Sequence, residues 1–288
     1  MKPSRGSLLA AVFSMVVAAG AGADAQLSAR TAPGPAAGRP VVLFDEGHDQ
    51  RFRVGSRGAL DLSRLGAFFS SAGGQVDATA SKITPEGLAK AEVLVVSGAF
   101  RPIAPDEIEA VLGFLDRGGR LAVLLHIAPP VADLLHRLGV SVSNGILREE
   151  GAAIGGEAIN LTVSRLATHP VNAGLASFGI FGSWALLPTA TGVTALAETG
   201  PQAWVDLNRS GTFEKGDARQ RFAVALVGQR GAGRFVVFGD DAVFQNQILA
   251  ERVDNRRLAG NLARWLVLRQ PAATLALRGS PSVDPTAR

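Results

Sequence analysis

The chain has 288 residues, of which 47% are hydrophobic and 19% are charged, and its formal net charge is +4 at pH 7. This composition excludes an intrinsically disordered chain and leaves enough apolar side chains for a large core. The chain contains no cysteine, which excludes disulfide bonds, a thiolate nucleophile and cysteine-ligated zinc. The basic residues are scattered and form no stripe or reading motif, so the sequence does not favour a nucleic-acid partner.

The first 25 residues have the pattern of a secretory signal peptide. Lys2 and Arg5 supply a basic start, residues 8–19 are apolar apart from one serine, and Ala23-Asp24-Ala25 offers the small residues that signal peptidase recognises. We expect cleavage before Gln26 and a periplasmic or secreted location. The apolar run is shorter than the ~20 residues that a membrane span needs, so we predict no stable membrane anchor after cleavage.

The segments next to the signal peptide and at the end of the chain are rich in small residues and lack periodicity. Residues 26–39 predict a flexible leader, and residues 269–288 predict a disordered tail. Between them, we predict a single α/β domain over residues 40–268.

In the first part of this domain, short apolar runs alternate with helical patterns. The sequence predicts strands at 41–44, 75–79, 93–96 and 121–125, and the run over 93–96 is apolar throughout. The helical patterns predict a helix that ends at Gly73-Gly74, a short helix from Thr84, a helix from Pro105 to Gly118, and a helix over 130–138. Strands that are apolar throughout and alternate with helices are typical of a parallel sheet covered on both faces. We therefore predict a mostly parallel, doubly wound sheet.

The pattern changes in the second part of the domain. Residues 141–220 contain many glycines and only short apolar runs, which predicts an irregular, β-rich insertion. Residues 222–238 surround Gly231-Ala232-Gly233 and predict a hairpin that returns to the sheet. Asp254 or Asn255 is the predicted N-cap of the final helix.

Polar residues follow four of the predicted strands. They are Asp45, Glu46 and His48 after the first strand, Ser97 and Arg101 after the third, His126 after the fourth, and Asp240 and Asp241 after the last. In an open parallel sheet the carboxyl ends of the strands share one edge, where ligands bind. We therefore predict that these residues bind a small polar ligand, and His48 and His126 are the candidates for a catalytic role.

Structural roles compete with this interpretation. Asp45 and Asp240 are equally compatible with capping a helix or holding a loop, and His126 is compatible with a hydrogen bond to the turn that follows it. His136 lies in an amphipathic pattern and His169 precedes a proline, so packing or turn roles are favoured for both.

A hydrolytic metal site would combine Asp45, His48, His126 and Asp241, because carboxylates and imidazoles suit zinc or manganese. No two histidines have the i, i+4 spacing of a helical metal site, and no glycine-rich phosphate loop is present. The sequence therefore predicts neither a metal nor another cofactor.

Several short motifs in a fixed order resemble a known family. They are Phe44-Asp45-Glu46-Gly47-His48, Val95-Val96-Ser97-Gly98, Gly118-Gly119-Arg120-Leu121, Leu124-Leu125-His126, His169-Pro170-Val171, Val237-Phe238-Gly239-Asp240 and a closing helix over 261–266. In this order the motifs resemble the domain of unknown function 4350 group over residues 40–268. That group is similar to the class I glutamine-amidotransferase-like fold and to domains of the trehalose-utilisation and gliding-motility-auxiliary types. The resemblance implies a flavodoxin-like three-layer sandwich with its site at the strand ends.

The absence of cysteine excludes amidotransferase activity. Glutamine amidotransferases use a cysteine nucleophile on a strand–helix elbow. In this chain the elbow reads Leu125-His126-Ile127-Ala128, and the chain has no cysteine. We therefore expect a non-catalytic exported domain that binds a small polar ligand, with a carbohydrate as one option, or an envelope protein partner. The alternatives are a hydrolase, with or without a metal, that uses the strand-end Asp and His residues, and a structural accessory of an envelope transport or assembly system.

Overall fold

The computed structural model describes residues 38–268, and residues 39–268 belong to one compact unit. The predicted signal peptide, the predicted tail and most of the predicted leader lie outside the described residues. Within the described residues, no helix is both long and apolar enough to cross a membrane.

Strands and helices alternate in the first part of the described chain. The elements are β1 (Val41–Asp45), α1 (Ser63–Ser71), β2 (Gln75–Thr79), β3 (Val93–Ser97), α2 (Pro105–Asp116), β4 (Arg120–Leu124) and α3 (Ala132–Arg137). Pro105 takes the first helical position of α2, where its missing N–H costs nothing.

The next part of the chain consists mainly of strands. They are β5 (Val140–Arg148), β6 (Ala153–Ile154), β7 (Glu157–Val163), β8 (Arg165–Leu166), β9 (Phe178–Phe181), β10 (Trp184–Pro188), β11 (Thr194–Glu198), β12 (Trp204–Asp206) and β13 (Ala218–Arg219). The closing elements are β14 (Ala223–Arg230), β15 (Gly233–Phe238), α4 (Asn246–Glu251) and α5 (Val253–Val267). Short 3-10 helices occur at Pro129–Val131, Glu150–Ala152, Pro170–Asn172 and Ala242–Phe244.

The prediction of a mostly parallel sheet is confirmed only in part, because most of the strand pairs are antiparallel. The large sheet has the order β13-β12-β5-β10-β14-β15-β4-β3-β1-β2, with β11 and β8 attached beside β14, and only β2, β1, β3, β4 and β15 run parallel to one another. The direction reverses at the tight β14–β15 hairpin, where Gly231 has a φ of +54° that favours glycine. The strands before this hairpin therefore extend the parallel half as an antiparallel half. The fold is thus a mixed α/β fold with one large sheet.

Helices cover both faces of the parallel half. On one face, Phe69 of α1 and Leu262 of α5 belong to one continuous buried cluster. On the other face, Leu135 of α3 lies in a second cluster together with residues of α2. Because successive strand residues point to opposite faces, Val95 of β3 joins the first cluster and Val96 joins the second. This double burial explains why β3 and β4, which are buried at every position, are nearly continuous apolar runs.

Two local predictions differ from the structure. The segment after Thr84 forms a turn instead of a helix, and the Thr84 Oγ1 atom accepts a hydrogen bond from the Gly87 N–H at 3.1 Å. The last helix begins at Val253, so Asn255 lies inside it and does not cap it. The Asn255 side chain is fully buried and bonds both backbone groups of Gly179 in β9, at 3.0 and 2.9 Å. It ties α5 to a separate three-stranded sheet, β6-β7-β9.

Candidate functional site

The carboxyl ends of the parallel strands place the predicted site residues along one edge of the sheet. Asp45 ends β1 and Ser97 ends β3, His126 follows β4 by two positions, and Asp240 follows β15 by two positions. The register aligns these ends, because Ser97 and Phe238 both pair with Leu124. The structure divides the predicted residues at this edge into a buried group and a partly exposed group.

Asp45 and His48 form the buried group. Asp45 Oδ2 lies 2.7 Å from His48 Nδ1, and the Gln50 amide donates to the same oxygen at 2.6 Å. The other ring nitrogen, His48 Nε2, lies 3.3 Å from a carboxylate oxygen of Glu107 in α2. Asp45, His48 and Glu107 are each at least nine-tenths buried, with exposures of 2%, 3% and 4%.

The chemistry of this cluster favours a charged imidazole. A carboxylate only accepts hydrogen bonds, so a histidine that meets a carboxylate at each ring nitrogen satisfies both when both nitrogens carry a proton. Burial lowers the pKa of His48, but the hydrogen bonds and charges of Asp45 and Glu107 outweigh burial, so the pKa of His48 is raised. The cluster is therefore a buried ionic bridge between the segment after β1 and the start of α2.

The sequence did not identify Glu107 as a partner of His48. In the sequence, Glu107 is an acidic residue in the first turn of a predicted helix. Its Oε1 atom accepts from the Ile83 N–H at 2.8 Å and its Oε2 atom from the Ala104 N–H at 3.0 Å. Burial raises the pKa of Glu107, but these two bonds and the interaction with His48 lower it below its usual value. A buried carboxylate with this many donors acts as a structural anchor.

His126 and Asp241 form the partly exposed group. His126 Nδ1 lies 3.1 Å from Asp241 Oδ1, and 38% of the His126 side chain is exposed against 2% of the Asp241 side chain. The hydrogen bond that His126 makes to Asp241 is the largest influence on the pKa of His126 and raises it despite burial and the charge of Arg51. Because Asp241 engages Nδ1, the Nε2 atom of His126 is left for an external partner.

Aromatic rings flank the imidazole of His126. The ring centroid of Phe52 lies 5.1 Å from that of His126, and the centroid of Phe100 lies 5.3 Å away. The guanidinium of Arg51 stacks over Phe100, with Cζ 4.6 Å from the ring centroid. Trp184 Nε1 donates to the backbone oxygen of His126 at 3.2 Å. No sequence motif marked these aromatic residues, because single phenylalanines between polar residues carry no pattern.

Asp240 and Asp241 lie side by side beneath this surface. The carboxylate of Asp240 accepts from the N–H groups of Phe181 and Ala242 at 2.5 and 2.8 Å. Burial, together with the neighbouring charge of Asp241, raises the pKa of Asp240 to about 8. Burial also raises the pKa of Asp241, although His126 opposes the shift. Asp240 therefore holds the backbone, and Asp241 orients His126.

Ser97 lies in the core behind His126. Its side-chain oxygen is buried and makes no hydrogen bond within the described part of the chain, as is also true of Asp241 Oδ2. Gly98, the next residue, has a φ of +59°, and a Cβ atom there would lie 2.7 Å from Asp241 Oδ2. Glycine is required at this position because a side chain would displace the Asp241 carboxylate.

The last two predicted residues hold loops at the edge. Glu46 Oε1 accepts from the Val54 N–H at 3.0 Å. Arg101 donates to the backbone oxygen of Gly47 at 2.9 Å and lies 3.5 Å from Asp49, and its side chain is exposed. The two histidine groups are separated by segment 98–101, whose Phe100 N–H donates to the backbone oxygen of His48 at 2.8 Å.

The remaining histidines lie elsewhere in the fold. His136 is exposed on α3. His169 precedes a 3-10 helix and accepts from the Val171 N–H at 3.2 Å, and its ring packs against Trp265 at 5.1 Å. Burial, followed by the charge of Arg234, lowers the pKa of His169.

The structure also bears on metals and cavities. Within residues 38–268, no three His, Asp or Glu side chains are gathered as metal ligands, so the combination of Asp45, His48, His126 and Asp241 is not assembled. Three cavities of about 560, 480 and 500 Å³ include none of the predicted site residues. The largest of them lies at the opposite end of β4, beside Arg120.

The fold and this edge define a mixed α/β domain with an oriented histidine–aspartate pair at the carboxyl ends of its parallel strands. The family model described as "Domain of unknown function (DUF4350)" matches residues 63–263, and the chain belongs to this family. No curated protein matches the sequence. The predicted family membership and the predicted likeness to ThuA-like (trehalose-utilisation-type) domains are both confirmed.

Solved structures share the fold at low sequence identity. The mmIFT52 N-terminal domain has a TM-score of 0.62 at 17% identity, covering 80% of this chain and 99% of that one. A ThuA-like protein from Bacteroides uniformis ATCC 8492 has a TM-score of 0.50 at 15% identity, covering 82% and 95%. The cytoplasmic protein STM1381 from Salmonella typhimurium LT2 has a TM-score of 0.51 at 14% identity, covering 80% and 100%. At these identities the likeness concerns the fold alone.

Proposed function

We propose that the protein is an exported, non-catalytic domain that binds a small polar ligand at the exposed face of His126. One observation carries the proposal: the buried Asp241 carboxylate fixes the imidazole through Nδ1, while the rest of the ring stays accessible between Phe52 and Phe100. A few oriented polar groups among aromatic side chains are typical of sites for small molecules.

The arrangement of the parallel strands supports this location for the site. Their order, β2-β1-β3-β4-β15, corresponds to the flavodoxin-like order, in which ligands bind outside the carboxyl ends of the strands. We propose that this half is a flavodoxin-like unit of the class I amidotransferase-like type. By that resemblance His126 stands at the elbow where the enzymes carry cysteine, which favours binding over acyl transfer.

The proposed location outside the cytoplasm follows from residues 1–25. Their basic start, apolar run and Ala23-Asp24-Ala25 pattern support export to the periplasm or beyond. The ligand is then a compound available in that compartment, with a carbohydrate as one class, and an envelope protein is the alternative occupant of the same surface.

A second function is favoured by one feature of the same pair. A histidine oriented through Nδ1 by a buried aspartate, with Nε2 accessible, is the arrangement of a general base. The alternative proposal is a hydrolase in which Nε2 of His126 removes a proton from water. It predicts release of p-nitrophenol from p-nitrophenyl esters or glycosides, and loss of that activity in His126→Ala.

The binding proposal is tested by NMR titration of the purified protein with glucose, galactose, glucuronate and galacturonate. We expect at least one of these probes to move the ring resonances of His126 and to raise the melting temperature, since a ligand that binds only the folded state stabilises it. His126→Ala should abolish both effects, whereas His136→Ala, at an exposed histidine of α3, should leave them unchanged. Absence of any effect with all four probes at ~10 mM contradicts the proposal.

A further inference from the structure

We propose that the ligand at the His126 surface is an organic carboxylate and that Arg51 and His126 bind its carboxylate group together. The proposal rests on the proposed function and adds the chemical class of the ligand.

The geometry places a guanidinium and an imidazole against the same aromatic ring. The Arg51 guanidinium carbon lies 4.6 Å from the Phe100 centroid, and the His126 ring lies 5.3 Å from the same centroid. A guanidinium that stacks on an aromatic face keeps its N–H donors in the plane, directed away from the ring and free to bind. Arg51 is exposed and forms no ion pair with any described residue.

The acidic groups near His126 are buried, and within the described residues they leave the charge of Arg51 unpaired. Asp240 and Asp241 are 4% and 1% exposed and are engaged by backbone N–H groups and by His126. Since the pKa of Asp240 is raised to about 8, this carboxyl group is mostly uncharged at pH 7. The exposed Asp49 forms an ion pair with Arg101 at 3.5 Å.

A carboxylate fits these donors better than a neutral group does. The planar guanidinium matches a carboxylate through two parallel N–H bonds, and charge-assisted bonds are roughly twice as strong as neutral ones. A protonated Nε2 of His126 supplies a further donor. The rings of Phe52 and Phe100 offer apolar surface to the carbon skeleton of the ligand, which favours an organic acid over an inorganic anion.

The test compares two sugars that differ only in the carboxylate. The purified protein is titrated with glucuronate and with glucose by calorimetry, and galacturonate and galactose serve as a second pair. We expect each acid to bind at least ~10-fold more tightly than its neutral partner. Arg51→Gln should remove this preference. Arg53→Gln removes an exposed arginine two positions away and should change the preference by less than ~2-fold.

The preference should also depend on pH. The groups that face His126 are Asp241, Asp240 and Arg51, and their combined effect raises the pKa of the imidazole. The preference for the acid over the neutral sugar should therefore decline as the pH rises through the pKa of His126 and the ring loses its charge.

The outcomes separate the two proposals. Equal affinity for acid and neutral sugar overturns the carboxylate inference and leaves the binding function standing. A tenfold preference that survives Arg51→Gln in a protein with an unchanged near-UV circular dichroism spectrum also overturns the inference. If none of the four sugars binds, the proposed function itself fails.

Discussion

His126 Nδ1 and Asp241 Oδ1 lie 3.1 Å apart although 115 positions separate the two residues along the chain. Parallel pairing of β4 with β15 brings them together, and the Asp241 N–H donates to the Leu125 backbone oxygen at 2.7 Å. The orientation of the imidazole is therefore fixed by the backbone of the sheet as well as by the side chain of Asp241.

The histidines should titrate in a defined order. Since Asp241 raises the pKa of His126, whereas burial and Arg234 lower that of His169, His126 should titrate at the higher pH. NMR titration of the ring protons measures both midpoints, with assignments from single His→Gln variants. Asp241→Asn should lower the midpoint of His126 and leave that of His169 in place. A His126 midpoint that does not move in Asp241→Asn contradicts the assigned role of Asp241.

Gly98→Ala should destabilise the protein by about 1 to 3 kcal/mol, the cost of a non-glycine residue at positive φ. Its Cβ would lie 2.7 Å from Asp241 Oδ2, so the variant should also weaken binding at His126. Gly55→Ala is the matched control, because no atom lies within 4 Å of the position of its Cβ. Urea unfolding measures both variants, and equal stability of the two would show that the constraint at Gly98 is absent.

Glu107→Gln should lower the free energy of unfolding by about 3 kcal/mol, because it leaves His48 with one carboxylate in a buried site. The control is Glu109→Gln on the same helix, whose exposed carboxylate pairs with Arg137 at 2.7 Å. An exposed pair contributes no more than about 1 kcal/mol. Comparable losses in the two variants would mean that the buried bridge does not contribute to stability.

The buried bridge also predicts how stability changes with pH. A histidine whose pKa is raised by folding stabilises the protein below its unfolded value of 6.5, and this contribution is lost as the pH rises through the folded-state pKa. The raised pKa of Asp240, about 8, likewise makes the folded state less stable as the pH rises. Because folding lowers the pKa of Glu107, this carboxylate stabilises the protein above pH 4.5, and that stabilisation is lost in acid.

We therefore expect the free energy of unfolding to fall as the pH rises from 6.5 through about 8 and to fall less steeply in His48→Gln. Denaturant unfolding across this range measures both slopes. A wild-type protein that becomes more stable over this interval would contradict the charged state assigned to His48.

Export should produce a protein that begins at Gln26. Mass spectrometry of the protein from a periplasmic fraction would identify this terminus, and Ala25→Leu should retain the precursor because signal peptidase requires a small residue before the cleaved bond. Full-length protein that stays in the cytoplasm contradicts both the signal peptide and the proposed location.

Local patterns located the strands of the parallel half of the fold. The run over 93–96 falls within β3, and Pro105 marks the first residue of α2. These signals are local because a strand buried on both faces is apolar at every position. Strand direction is not local. The antiparallel half depends on how β5, β10 and β14 associate across long separations, and no short pattern encodes that association.

The candidate site was predicted only in part, because short patterns do not encode contacts between residues that are distant along the chain. Strand-end positions identified Asp45, His48, His126 and Asp241, but not the division into two groups. Glu107 meets His48 across 59 positions, and in the sequence it is indistinguishable from an ordinary acidic residue in the first turn of a helix.

The position of β15 between β4 and β14 has a consequence for folding. Until residues 233–238 are available for pairing, β4 lacks its neighbour and offers an apolar edge that pairs readily with other chains. Contacts this distant in sequence slow folding, because a long loop must close before they form. Chains truncated before β15 should therefore aggregate, and the contact between His126 and Asp241 can form only after β15 has joined the sheet.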